Sequence, residues 1–180
     1  TVNTVVGASP LSDVVRCPGE AAVFSATASG TGPYSYLWQK DGNALAGQTD
    51  NTLKLSPVSA ADAGVYTVVV SGACGSVTNS ASLTVNTTLG ASALADLVKC
   101  AGDTASFSTV ASGTGPYSYA WLKNGNVLGA QSESSLTLNN VSSAHAGIYS
   151  VVVSGACGSV TNSARLSVNE NLAVVSGPVS

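Results

Sequence analysis

The chain has 180 residues, a net charge of −3 at pH 7 and only 8% charged side chains. Six Lys and Arg cannot build the basic face that a nucleic-acid partner needs. Although 44% of the residues are apolar, no run approaches the roughly 20 that span a membrane, so insertion is not expected.

Ser, Thr and Gly fill much of the remainder, with short Val-rich runs such as Val68-Val69-Val70. That mixture favours sheet over helix. In chain order, Thr1-Val2-Asn3 matches Thr84-Val85-Asn86, so residues 1–3 read as the end of a preceding repeat. Cys17 lies just before Gly19-Glu20, on the approach to a strand in which Phe24 and Ala26 share a face. Tyr36 with Trp38, and Leu53 with Leu55, show the same period of two, the mark of half-buried strands. Turn signals separate them at Gly30-Thr31-Gly32-Pro33, Asp41-Gly42 and Gly72-Ala73-Cys74-Gly75. Only residues 59–63 suit a single helical turn.

The pattern then returns. Cys17, Trp38, Tyr66 and Cys74 recur 83 positions later as Cys100, Trp121, Tyr149 and Cys157. ASGTGPYSY at 28–36 returns unchanged at 111–119, and GVYTVVVSGACGSVTNSASLTVN returns as GIYSVVVSGACGSVTNSARLSVN. Self-similarity at a fixed period marks repeated modules. The expected division is module one at 4–86 and module two at 87–169, with 170–180 a linker or the start of a further repeat. The chain therefore reads as a window on a longer array. About seven strands in each unit predict an all-β chain of two Greek-key sandwiches.

WQKDG followed by LKLSPVSAADAGVYTV in module one, and WLKNG followed by LTLNNVSSAHAGIYSV in module two, resemble the immunoglobulin superfamily. The chain is most similar to I-set-like modules repeated in bacterial secreted and cell-surface proteins. The resemblance makes Trp38 and Trp121 the core tryptophans of strand C. It gives Tyr66 and Tyr149 the tyrosine-corner position, with the hydroxyl bonded to backbone near the E–F turn. The family's bridge between strands B and F is absent: the aligned positions hold Ala26 and Val68, then Thr109 and Val151.

In that topology Cys17 sits at one end of its module and Cys74, in the F–G turn, at the other. A strand of about 8 residues at ~3.3 Å each separates them far beyond the roughly 7 Å between Cα atoms that a disulfide tolerates. Modules stacked end to end suggest instead a Cys17–Cys157 bridge across the junction, with Cys74 and Cys100 directed to neighbouring modules or other copies of the chain. The pairs Cys17–Cys74 and Cys100–Cys157 remain the alternatives. Four cysteines in such a chain point to an oxidising, extracellular setting.

Catalytic chemistry is not expected, and no cofactor or metal is implied. The only histidine, His145, reads as a solvated loop residue in place of Asp62, and one histidine gives zinc no His pair. Asp13, Glu20, Asp62 and Asp96 are scattered, without the dense ligand loop of a calcium site. Asn86-Thr87-Thr88 and Asn140-Val141-Ser142 fit the glycosylation pattern. The expected function is a spacer, stalk or filament segment whose partners are neighbouring modules and other copies of itself. The alternative is a recognition module, either adhesin-like or a carbohydrate- or protein-binding accessory domain, using the 30–34 loop and the F–G turn. Two apolar segments, 1–6 and Leu172-Ala173-Val174-Val175, are candidates to donate a strand to another copy.

Overall fold

Alternating apolar and hydroxyl side chains give each strand one dry and one wet face, and the backbone follows that pattern. The computed structural model describes residues 2–129 and 131–170, and the chain divides into two compact units, Thr1–Thr87 and Thr88–Ser180. The first contains β1 (Gly7–Ala8), β2 (Val14–Arg16), β3 (Ala22–Ser25), β4 (Ala28–Ser29), β5 (Ser35–Lys40), β6 (Asn43–Ala44), β7 (Thr52–Leu55), β8 (Gly64–Gly72) and β9 (Gly75–Val85). One layer is a five-stranded sheet in the order β2-β9-β8-β5-β6, in which β2 runs parallel to β9. The other consists of the antiparallel pairs β3-β7 and β1-β4. Taking β1 with β2, and β3 with β4, as interrupted single strands, each unit has the seven strands expected.

The β8–β9 hairpin runs the length of the unit, from Gly72 opposite Gly75 to Gly64 opposite Leu83. Inward residues of β8 (Tyr66, Val68, Val70) are buried, whereas Val65 faces solvent. On the outer face Thr67 and Ser80 pair hydroxyl to hydroxyl across the strands at 2.9 Å, a contact that suits a wet, uncharged sheet surface. At the β5–β6 turn Asp41 and Gly42 have φ of 50° and 82°. The left-handed pair is the geometry that makes Asp-Gly a hairpin signal.

Trp38 sits at 0% exposure, with its Nε1 donating to the Asp50 carbonyl at 2.8 Å. Phe24 stacks on Tyr66 with ring centroids 5.0 Å apart and tilts against Trp38 at 6.5 Å. Ala26 and Val68, where a core disulfide would stand, are fully buried and apolar. Packing of this aromatic trio therefore joins the two layers; each aromatic pair adds about 0.5–1.5 kcal/mol beyond its buried area. The Tyr66 hydroxyl donates to the Asp62 carbonyl at 2.8 Å, the tyrosine corner that the family resemblance implied.

The second unit repeats the plan through β10 (Gly90–Ala91), β11 (Leu97–Cys100), β12 (Ala105–Ser108), β13 (Ala111–Ser112), β14 (Ser118–Lys123), β15 (Asn126–Val127), β16 (Ser135–Leu138), β17 (Gly147–Gly155) and β18 (Gly158–Asn169). Its five-stranded sheet has the matching order β11-β18-β17-β14-β15. Phe107 stacks on Tyr149 at 5.1 Å, and the Tyr149 hydroxyl donates to the His145 carbonyl at 2.8 Å. Thr109 replaces Ala26 at 3% exposure; its hydroxyl donates to the Ser92 carbonyl at 2.7 Å, so the buried polar atom is satisfied.

A single helical turn falls at Ala60–Asp62, within the residues that the sequence marks, and the second unit has a counterpart at Ser143–His145 that was not anticipated. Asp62 accepts the Ser59 N–H at 2.7 Å and its hydroxyl at 2.8 Å. His145 corrects the expectation of a solvated loop residue. It is half-buried and ends a 3-10 turn, and its Nδ1 accepts the Ser142 N–H at 3.0 Å. An unprotonated ring nitrogen thus does the work of the Asp62 carboxylate. Likewise, Asp41 at the β5–β6 turn accepts the Val65 N–H and Asn124 at the β14–β15 turn accepts the Ile148 N–H, both at 2.9 Å.

Two outcomes follow. Tyr66→Phe and Tyr149→Phe each leave a carbonyl without its hydroxyl donor and should lower stability by about 1 kcal/mol in urea unfolding. The Ser59 backbone N–H, then its hydroxyl, hold the Asp62 carboxyl below the ordinary aspartate value. A depressed folded-state value contributes stability above the unfolded value, and that contribution is lost as pH falls through the folded one. The advantage of the native chain over Asp62→Asn in urea unfolding should therefore be greatest near neutral pH and disappear below the aspartate range.

Candidate functional site

Each unit has two chemically distinct ends, and the cysteines lie there. At the hairpin end of the first unit, Cys74 occupies the two-residue turn between β8 and β9. The 30–34 loop closes against this turn. The Ala73 N–H donates to the Thr31 carbonyl at 3.1 Å, and the Tyr34 hydroxyl donates to the Gly30 carbonyl. Thr4 joins them by donating its N–H to the Thr31 Oγ1 at 2.9 Å. Gly72 is required by close approach: an added Cβ would lie 2.7 Å from Val6 Cγ2 and 3.0 Å from the Thr31 oxygen. The second unit builds the same end around Cys157, with the Ala156 N–H on the Thr114 carbonyl and the Tyr117 hydroxyl on the Gly113 carbonyl.

The opposite end carries the other sulfur. Arg16, the last residue of β2, is aligned with Val85, and the Asn86 N–H donates to its carbonyl at 2.8 Å. Cys17 follows directly, its N–H donating to Glu20 Oε2 at 2.7 Å. The next turn is tied to the E–F segment by Gly19 N–H on Val58 O and Val58 N–H on Glu20 O. In the second unit Cys100 is aligned with Asn169, its N–H donates to Asp103 Oδ2 at 2.8 Å, and Gly102 and Val141 repeat the tie.

These registers settle the within-module separation. Gly75 and Val85 bound β9, and ten steps at ~3.3 Å put roughly 33 Å of strand between the levels of Cys74 and Cys17. A disulfide tolerates Cα atoms no more than about 7 Å apart. The same holds for Cys157 and Cys100, separated by the length of β18. Cys74 is a half-buried free thiol and Cys100 an exposed one, whereas Cys17 and Cys157 are disulfide-bonded.

The core residues Trp38, Tyr66, Trp121 and Tyr149 are brought together with their units' phenylalanines and play packing roles. Val6 lies in the core of the first unit at 6% exposure, which removes it from the 1–6 candidate strand donor. The other candidate donor, Leu172, Ala173, Val174 and Val175, lies outside the described residues. Among the described residues no group of three or more His, Cys, Asp or Glu is placed to hold a metal.

Two ties were not anticipated. Asn79 donates its side-chain amide to the Ser9 carbonyl at 2.9 Å, and Asn162 does the same to Ser92. Asp13 and Asp96 accept the Ser82 and Arg165 N–H groups, each at 2.7 Å. They pin the first strand region to the last strand. The available signal was their recurrence at the repeat offset of 83.

Several solved structures share this fold at low identity. The titin I-band fragment I67–I69 is similar at a TM-score of 0.81 and 23% identity, over 94% of this chain and 67% of the fragment. Extracellular domains 3–5 of Drosophila OTK are similar at 0.70 and 18%, over 91% of this chain and 62% of that one. DIP-gamma IG1+IG2 is similar at 0.66 and 16%, over 93% and 99%. The chain thus spans about two thirds of the titin and OTK fragments. Both units match the immunoglobulin I-set domain, over residues 6–85 and 91–168, and the chain belongs to that family.

Proposed function

We propose that the chain is an extracellular, non-catalytic structural repeat, a spacer or stalk segment, whose two modules are fastened to each other by a Cys17–Cys157 disulfide. The observation that carries this reading is the placement of the sulfurs. Each module holds its two cysteines at opposite ends of one sheet, roughly 33 Å of strand apart. Cys17 is disulfide-bonded while its own module's Cys74 is a free thiol, and Cys157 is bonded while Cys100 is free. A bond that cannot close within a module leaves the other module as the partner.

The remaining chemistry supports a mechanical role. The loop that a recognition module would use spends its polar groups on its own structure, through Tyr34 on Gly30 O, Ala73 on Thr31 O and Thr4 on Thr31 Oγ1. Disulfide-bonded cysteines fit an oxidising compartment outside the cytosol. The solved relatives, at 16–23% identity, speak for the fold and leave function to this chain's own residues.

The mechanical consequence is a restrained junction. Contacts between domains of one chain permit bending unless a large interface or a covalent bond prevents it. Spin labels placed on the exposed positions Val23 and Ser106 should give a narrow distance distribution in the oxidised chain. The distribution should broaden after Cys17→Ser or Cys157→Ser, with the far-ultraviolet spectrum unchanged. Equal widths in the native chain and both variants would remove the fastened-junction reading.

A further inference from the structure

The disulfide-bonded cysteines and the free ones are the same two positions of one repeat. Cys157 in module two is the counterpart of Cys74 in module one, and Cys17 is the counterpart of Cys100. The local structure agrees in detail. Cys74 and Cys157 both lie in SGACGSVTNS, in the two-residue turn of the long hairpin, beside an Ala N–H that donates to a Thr carbonyl. Cys17 directly follows β2 and Cys100 ends β11, the strands aligned with the end of that hairpin, and each backbone N–H is held by an acidic side chain three residues on. The chain thus carries one hairpin-end sulfur and one base-end sulfur in use, and one of each unused.

We propose that Cys74 and Cys100 are the two halves of the same joint between copies: the base end of module two in one chain bonds the hairpin end of module one in the next. This rests on the Cys17–Cys157 reading, because that bond would make the two ends complementary. The partner is a second copy of this chain, and the product is a covalent head-to-tail polymer. The exposed Cys100 thiol and the half-buried Cys74 thiol are available for it. Neither can reach its own module's other sulfur, because of the length of β9 and β18.

The chemistry is thiol–disulfide exchange, with a low-molecular-weight disulfide such as oxidised glutathione as oxidant. The thiolate of one cysteine attacks oxidised glutathione, forming a mixed disulfide and releasing one glutathione thiolate. The thiolate of the other cysteine, on a second chain, attacks the protein sulfur of that mixed disulfide and releases the second glutathione thiolate. The two protons lost by the cysteines go to the two departing glutathiones. Cys74 and Cys100 are oxidised to one disulfide, and oxidised glutathione is reduced to two glutathione molecules.

The test uses the full chain and two variants, Cys74→Ser and Cys100→Ser, each treated with oxidised glutathione and resolved on non-reducing gels. The native chain should give a ladder that a reductant collapses to monomer. Neither variant alone should form a ladder. Mixed together they should form a dimer joining one of each and stop there. Dimer in a single variant at the level of the mixture would overturn the proposal, since any exposed thiol would then suffice. A native chain that stays monomeric, with its thiols intact or with both consumed within one molecule, would overturn it as well.

Thiol titration of the denatured Cys74→Ser/Cys100→Ser double variant separates the two readings. No reactive thiol there, with a failed ladder, retains the Cys17–Cys157 bond and removes the joint between copies. Two reactive thiols remove the bond on which the joint was reasoned.

Discussion

The parallel pairing of β2 with the far end of β9 fixes what each module can do. Because Arg16 aligns with Val85, the chain must leave β2 at the opposite end of the sheet from the β8–β9 turn. Everything placed after β2 belongs to one end, and everything in the hairpin turn belongs to the other. The two cysteines are assigned accordingly, and no side-chain rearrangement can shorten a strand of eleven residues. The sulfurs of one module are therefore addressed outward, in opposite directions along its own sheet.

The core, for its part, does without a bridge. Where related sandwiches join their layers covalently, this one has Ala26 and Val68, or Thr109 and Val151, all nearly or fully buried. Phe24 between Trp38 and Tyr66, and Phe107 between Trp121 and Tyr149, carry the load by packing. The tyrosine corner and the Trp38 Nε1 contact anchor the same aromatic groups to backbone.

Much of this was legible in the residues. The period of two marked the strands, Asp41-Gly42 marked a hairpin turn with left-handed backbone, and residues 59–63 marked the helical turn of the first unit. His145 was not legible, because a lone histidine opposite an aspartate says nothing of the hydrogen bond both accept at the start of a 3-10 turn. Asn79 and Asp13 were missed for a related reason. Their partners, Ser9 and Ser82, are 70 and 69 positions distant, and only the folded register brings them close. Local chemistry reads from local sequence; long-range polar ties wait on topology.

How the four sulfurs are joined decides whether each module's ends are linked outward or closed on themselves. Proteolysis of the unreduced chain, followed by mass spectrometry of its cysteine peptides, tests this most directly. A linked pair containing Cys17 and Cys157, with Cys74 and Cys100 recovered as thiols in the monomer, is the result predicted. A linked pair containing Cys17 and Cys74, or Cys100 and Cys157, would contradict the account.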